Sequence, residues 1–371
     1  VARHGDVAAE PDELNKPKGR MTMTLHRLAA TAATLAALTL GAQAQDLPKL
    51  HFKVLIQDSP TPHVKLLEAP LWNEWIPAAS KGQITADAAP YDQVGIPDDA
   101  VLRLLKLGAF DFASFDIAKV AGDDARFEGC DLAGLTLTFD DARKGCEAWR
   151  ATVDKLMQEK WNAKLLAIGT APPQAIWCAT ELKNFDDLKG KKLRVFTKTM
   201  VDFAQGIGAA PVNVAFREVV TALQNKVVDC AVTGTAVGNS AGWIEVTKYL
   251  MPLSLGWAIN VHVVNLTTWK RLDPKVQAFL EVEYKKFEDK FWQVMKDQDA
   301  DAANCNVGKQ PCQNGKLANM TLVTISESDQ QRFKKLVQET VLKGWLKRAG
   351  AEVAKEWNAT VGRALGMEAT Q

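Results

Sequence analysis

Arg194 lies in Asp187-Leu188-Lys189-Gly190-Lys191-Lys192-Leu193-Arg194-Val195, where a loop runs into a short strand. A guanidinium carried there offers a planar fork of N–H donors that stays charged, which suits a small anion. The alternative role is a surface ion pair with Asp186 or Asp187. Next come Ala210-Pro211-Val212-Asn213-Val214-Ala215-Phe216, a helical stretch, and Val227-Val228-Asp229-Cys230-Ala231-Val232. A β-α-β order of this kind suits holding an anion better than transforming one. A catalytic reading has one hook. Gly238-Asn239-Ser240-Ala241-Gly242 fits G-x-S-x-G, the nucleophile elbow, which needs the serine on a strand-to-helix turn, then an acid, then a histidine. Here the preceding strand is expected to end near Val232, and only Glu245 and His262 follow, too cramped for that order. A serine hydrolase using Ser240 is therefore the weaker alternative. Gly206-Ile207-Gly208 lacks the third glycine of a dinucleotide fingerprint and follows a helix.

The six cysteines include no C-x-x-C pair, and the five histidines (His4, His26, His51, His63, His262) are scattered, so zinc is disfavoured. Disulfides suit an exported chain. Export is expected from Met21-Thr22-Met23-Thr24-Leu25-His26-Arg27, an apolar run over 28–40, and Ala42-Gln43-Ala44 as a cleavage site. Residues 21–44 thus form a signal peptide, 1–20 an upstream extension outside the mature chain, and the mature protein starts near Gln45 in the periplasm. Proximity favours Cys305–Cys312 and Cys130–Cys146, each closing a glycine-containing loop. Cys178 and Cys230 remain, on or near expected strands of one region, and could pair. Other connectivities stay open. With 45 basic and 44 acidic residues the formal net charge is +1, which favours neither nucleic acid nor an anionic membrane surface.

These residues need elements to carry them. Strands are expected at 50–56, 83–89, 110–115, 163–169, 176–179, 227–232 and 257–265, and helices at 66–79, 98–107, 142–161, 201–207 and 216–225. Alternating elements point to an α/β fold with a largely parallel sheet. Ala171-Pro172-Pro173 marks a crossing into a second lobe, and 257–265 a return. Val276, Phe279, Leu280, Tyr284, Phe287, Phe291 and Val294 recur at helical steps, giving one helix over 274–303, about 45 Å long and able to brace both lobes. Two more helices follow at 330–349 and 351–365.

Asp186 to Val195, Gly208 to Val212, Phe216-Arg217-Glu218-Val219, Thr221-Ala222-Leu223-Gln224, Val228-Asp229 and Glu245-Val246-Thr247-Lys248-Tyr249-Leu250 come in tight order. Over 182–275 the chain here resembles the periplasmic solute-binding proteins of tripartite ATP-independent periplasmic (TRAP) transporters, with a weaker match over 50–170 and 275–365. The resemblance implies two α/β lobes of the periplasmic-binding-protein kind (type II-like), joined by crossover strands and a long bracing helix, closing on a small organic anion. Lobe I is expected at 45–171 plus 258–300, and lobe II with the C-terminal helices at 172–257 plus 301–371. The implied partner is a TRAP membrane permease; a membrane sensor receiving the liganded receptor is the alternative. No cofactor is implied, and the receptor is expected to be a monomer.

Residue by residue, Arg194 matches the family arginine that pairs with the ligand carboxylate, and Phe216 the aromatic beside the ligand. Two places depart: Gln174 stands where a second basic residue is common, and Thr233 where an Asn is frequent. Cys230 also replaces a frequent Gly. The departures imply one carboxylate with a neutral polar or apolar remainder. Trp177, Trp243 and Trp257 fall near the expected cleft, with core packing the commoner role for at least two of them. In the first lobe Gln57, Asp58, Gln93, Phe115 and Asp116 fall at strand ends facing it.

Overall fold

A computed structural model describes residues 47–370 of the chain. The expected leader at 21–44 and the extension at 1–20 lie outside the described residues. Among the described residues, eleven strands form two sheets. The first, in order β2-β1-β3-β10-β4, contains β1 (Leu50–Ile56), β2 (Ile84–Pro90), β3 (Phe112–Asp116), β4 (Ala163–Gly169) and β10 (Asn260–Asn265). The second, in order β11-β9-β5-β8-β6-β7, contains β5 (Gln174–Cys178), β6 (Lys192–Val195), β7 (Ala210–Asn213), β8 (Cys230–Gly234), β9 (Tyr249–Met251) and β11 (Thr321–Leu322).

The sheets are largely parallel, as expected, with one departure in each. In each sheet a single strand is reversed against its neighbours: β10 is antiparallel to β3 and β4, and β5 to β8 and β9. Both are the first strand after a crossing. Strands β3 and β8 end at the space between the sheets, whereas a strand arriving from the other sheet starts there and must run the opposite way. The two crossing segments lie side by side, with Ala171 N–H donating to Trp257 O at 2.8 Å and Leu255 N–H to Gln174 O at 2.8 Å.

Strand alternation assigns the two faces of the first sheet. Phe52, Val54 and Ile56 of β1 pack with Trp72, Tyr284 and Phe287, while Leu55 joins a second cluster on the other face. The long helix Pro274–Asn306 has 33 residues, about 50 Å of rise. Its first turns bury Leu280, Tyr284 and Phe287 on the first sheet. Its last turns meet Thr235–Ser240, the helix following β8, where Asn239 Nδ2 donates to Asn306 Oδ1 at 2.8 Å. One helix therefore braces both sheets. Disulfides join Cys130 to Cys146, Cys178 to Cys230 and Cys305 to Cys312; the second links directly opposed residues of β5 and β8. No described helix is long and apolar enough to cross a membrane.

Candidate functional site: a two-walled cleft

Between the strand ends of the two sheets lies a cavity of about 560 Å³, counted out to its mouth. The second sheet contributes Gln174, Arg194 and Thr233, with Phe196 and Phe216 beside them; the first contributes Asp116 and Asn260, with Gln57, Asp58 and His63.

Arg194 is 2% exposed. Its Nε–H donates to Val214 O at 3.0 Å and its Nη1 to Val232 O at 2.9 Å. The guanidinium carbon lies 5.0 Å from the Phe196 ring centre and 5.9 Å from that of Trp243, so aromatic faces flank the cation. Nη2 has no protein partner among the described residues. The surface pairing with Asp186 does not occur: Asp186 pairs with Arg332 at 2.7 Å. Burial lowers the guanidinium pKa to about 10, opposed by the more distant Asp116 and Asp98. A fixed, charged and incompletely bonded donor fork faces the cavity.

Around it, Gln174 is buried and spends its Nε2–H on Pro172 O at 2.9 Å. Thr233 is buried and lines the cavity, while its carbonyl accepts from Trp177 Nε1 at 3.1 Å. Phe216 is half-buried, its ring 5.8 Å from Trp243.

The opposite wall is acidic. Burial pushes Asp58 up to about 6, helped by Asp92, and Asp116 up to about 6 against the pull of Lys119 and the Ala118 N–H. Lys119 is already paired with Asp98 at 2.8 Å. Behind this wall Glu68 accepts Gln57 N–H at 3.1 Å and the Ser114 hydroxyl, with His63 and His262 about 4 Å away. Burial lifts Glu68 to about 7 and lowers both histidines to about 3. At the crossing, Asp131 accepts the N–H groups of Trp257 at 2.8 Å and Ile259 at 3.2 Å, holding Ala258 between them at φ 44°.

Of the residues singled out in the sequence, the cavity brings together Gln57, Asp58, Asp116, Gln174, Arg194, Phe216 and Thr233. Gln93 is corrected: it is exposed in the turn after β2, where Tyr91 and not Gln93 lines the cavity. Trp177 is corrected too, since its ring is fully buried and points to the core face, where it packs on Trp243 and Gly238. Phe115 and Trp257 are core residues, and Trp243 backs Arg194 from outside the lining. Reasoning from sequence missed Asn260, Tyr91, Lys119 and Phe196. Asn260 left a trace, as the one amide inside the apolar run Trp257 to Val264.

The G-x-S-x-G match has a packing origin. Ser240 ends the helix Thr235–Ser240 and its hydroxyl donates to Val237 O at 3.1 Å. A Cβ on Gly238 would sit 2.5 Å from the Trp177 ring, so that glycine serves close packing. His262 lies on β10 of the other sheet, next to Glu68.

A family model described as "Bacterial extracellular solute-binding protein, family 7" matches residues 57–347. The chain belongs to this family. The TRAP resemblance carried by 182–275 thus extends across most of the family-7 chain. The chain is 27% identical over 278 residues to the sialic acid-binding periplasmic protein SiaP of Vibrio cholerae, covering 72% of this chain and 84% of that protein. It is 30% identical over 155 residues to an uncharacterized protein of Haemophilus influenzae, covering 42% of this chain and 47% of that one, so there it spans about half the relative's length. In fold it is similar to a TRAP periplasmic solute binding protein from Desulfovibrio salexigens with bound orotic acid, at TM-score 0.75 and 18% identity, over 85% of this chain and all of that one.

Proposed function

We propose that this family-7 protein is an exported receptor that binds one small carboxylic acid between its lobes and hands it to a TRAP-type membrane permease. Arg194 grips the carboxylate, Phe216 packs beside it, and Gln174 and Thr233 offer amide and hydroxyl neighbours instead of a second cation. Lobe I comprises 45–171 plus 258–300, and lobe II 172–257 plus 301–371. Closure of the lobes removes water, which strengthens the ion pair and ties affinity to the closed state. The protein performs no chemistry on its ligand and acts in the periplasm after loss of its leader.

The observation that carries this reading is the buried Arg194, fixed by two backbone carbonyls yet without a carboxylate partner. Sialic acid and orotic acid, named for two similar proteins, are both carboxylic acids. A thermal-shift screen of organic acids tests it, because a ligand that binds only the folded state raises the melting temperature. The reading expects at least one acid to stabilise the native protein and not Arg194→Ala. Stabilisation of both proteins alike would contradict it.

A further inference from the structure

The wall facing Arg194 carries buried acceptors that no donor of the described residues meets, beside an Asp58 that accepts the Tyr91 hydroxyl at 3.2 Å. Asn260, the first residue of β10, stands directly opposite Asp116, the last of β3, so their side chains share a face. Asn260 is 1% exposed. Its Nδ2 donates to Ala258 O at 2.7 Å; turning the amide over would set two oxygens against each other, so Oδ1 is fixed pointing the other way. That Oδ1 has no hydrogen-bond partner. Asp116 spends one oxygen on the Ala118 N–H at 2.9 Å and forms no ion pair among the described residues.

His63 adds a third acceptor. The Thr61 hydroxyl donates to Asp58 O at 2.7 Å, so in its 3.2 Å contact with His63 Nε2 it must accept, which puts the imidazole proton on Nε2. The buried Nδ1 is then a bare acceptor, and it too lacks a partner. Charge points the same way. The cavity is lined by Asp58, Asp98 and Asp116 against Lys119 and Arg194, and Lys119 is taken by Asp98. A ligand carboxylate would occupy Arg194 and leave Asp58 and Asp116 uncompensated. A purely anionic ligand would worsen that imbalance, whereas a ligand bearing its own cation would relieve it.

Resting on the carboxylate reading above, we propose that the ligand is a zwitterion, with its carboxylate on Arg194 and a protonated nitrogen donating to Asp116 and Asn260 Oδ1. The sheets then read opposite ends of one small molecule. The remainder of the ligand carries a cation instead of being neutral, as Gln174 and Thr233 alone implied.

Calorimetry on the native protein with matched probes tests this. One set is proline, pyroglutamate and cyclopentanecarboxylate; another is 4-aminobutyrate, 4-hydroxybutyrate and butyrate; a third pairs the proteinogenic amino acids with their 2-hydroxy analogues. The expected result is an amino member binding at least about tenfold tighter than its nitrogen-free counterpart, an advantage of one RT ln 10 step. Asp116→Asn, which keeps an oxygen for the Ala118 N–H, should erase that advantage by weakening the amino member, while the nitrogen-free acids, relieved of one facing carboxylate, bind no more weakly; Asn260→Leu should reduce it. The inference is overturned if nitrogen-free acids bind as tightly, if no amino member binds, or if Asp116→Asn keeps the preference. Arg194→Ala separates the two readings. If it leaves binding intact, the carboxylate reading fails; if it abolishes binding while nitrogen-free acids are preferred, only the zwitterion fails.

Discussion

On the β6 side of the cleft the polar group is settled: Arg194 is clamped by the carbonyls of Val214 and Val232, flanked by Phe196 and Trp243, and carried on a sheet whose β5 and β8 are cross-linked by Cys178–Cys230. On the β3 side the polar groups are unsettled. Asp58 and Asp116 are held up to about 6 by burial, and Asn260 Oδ1 and His63 Nδ1 have no donor. Preorganised donors on one wall and unmet acceptors on the other make a cleft that is complete only when something spans it. On the proposed reading, the rigid donor fork sets where a ligand docks and the unpaired acceptors select what it carries at its far end.

Arg194→Ala strikes that contrast hardest. Truncating a desolvated pair costs about 2–5 kcal/mol, so affinity should fall by ~30- to ~5,000-fold by calorimetry, with the circular dichroism spectrum unchanged. Replacing both Cys178 and Cys230 by Ser removes the cross-link behind the same wall. Stability should fall by about 2–4 kcal/mol in a denaturant melt.

Glu68→Gln probes the other wall. Glu68 rises from 4.5 to about 7 on burial, so the folded state binds the proton more tightly than the unfolded one. Its stabilising effect is complete below about pH 4.5 and is lost as pH rises through 7. Glutamine mimics the protonated form. The variant should therefore melt above the native protein at pH 8, by on the order of 1–3 kcal/mol, and close to it at pH 4.5. Asp131, lifted to about 8 by burial and by Asp116, keeps a residual fall with pH in both proteins. Ser240→Ala should change stability by no more than about 0.5 kcal/mol and leave ligand affinity unaltered, because the hydroxyl serves only its own helix end.

The β6 wall was legible in the sequence and the β3 wall much less so. Loop, strand and helix signals follow closely from 187 to 232, so local patterning places the elements that carry Arg194 and Phe216, while the family resemblance singled out the two residues; the strand expected at 227–232 runs over Cys230–Gly234. The long helix was equally readable from its apolar period, ending three residues beyond the expected 303, at Asn306. Asn260 depends on pairing with Asp116 across 144 positions, and nothing local announces a register. Reversed β10 and β5 were missed for the same reason, since strand direction follows from where the chain crosses and not from composition. Helical spacing over the expected 66–79 sets Leu67, Leu71, Trp75 and Ile76 on one side. Wide π-type turns at Val64–Glu68 and Leu71–Trp75 shift the face, so Trp72 is buried and Trp75 is covered by Lys290 instead.

Arg194 is proposed to receive the carboxylate of a ligand that spans both walls. The direct measurement is a crystal structure of the native protein with the acid that gives the largest thermal shift. A carboxylate oxygen is expected about 2.7–2.9 Å from an Arg194 Nη atom, with a donor of the same molecule within hydrogen-bond reach of Asp116 or Asn260. A ligand bound in the cleft with its carboxylate turned away from Arg194 would contradict it.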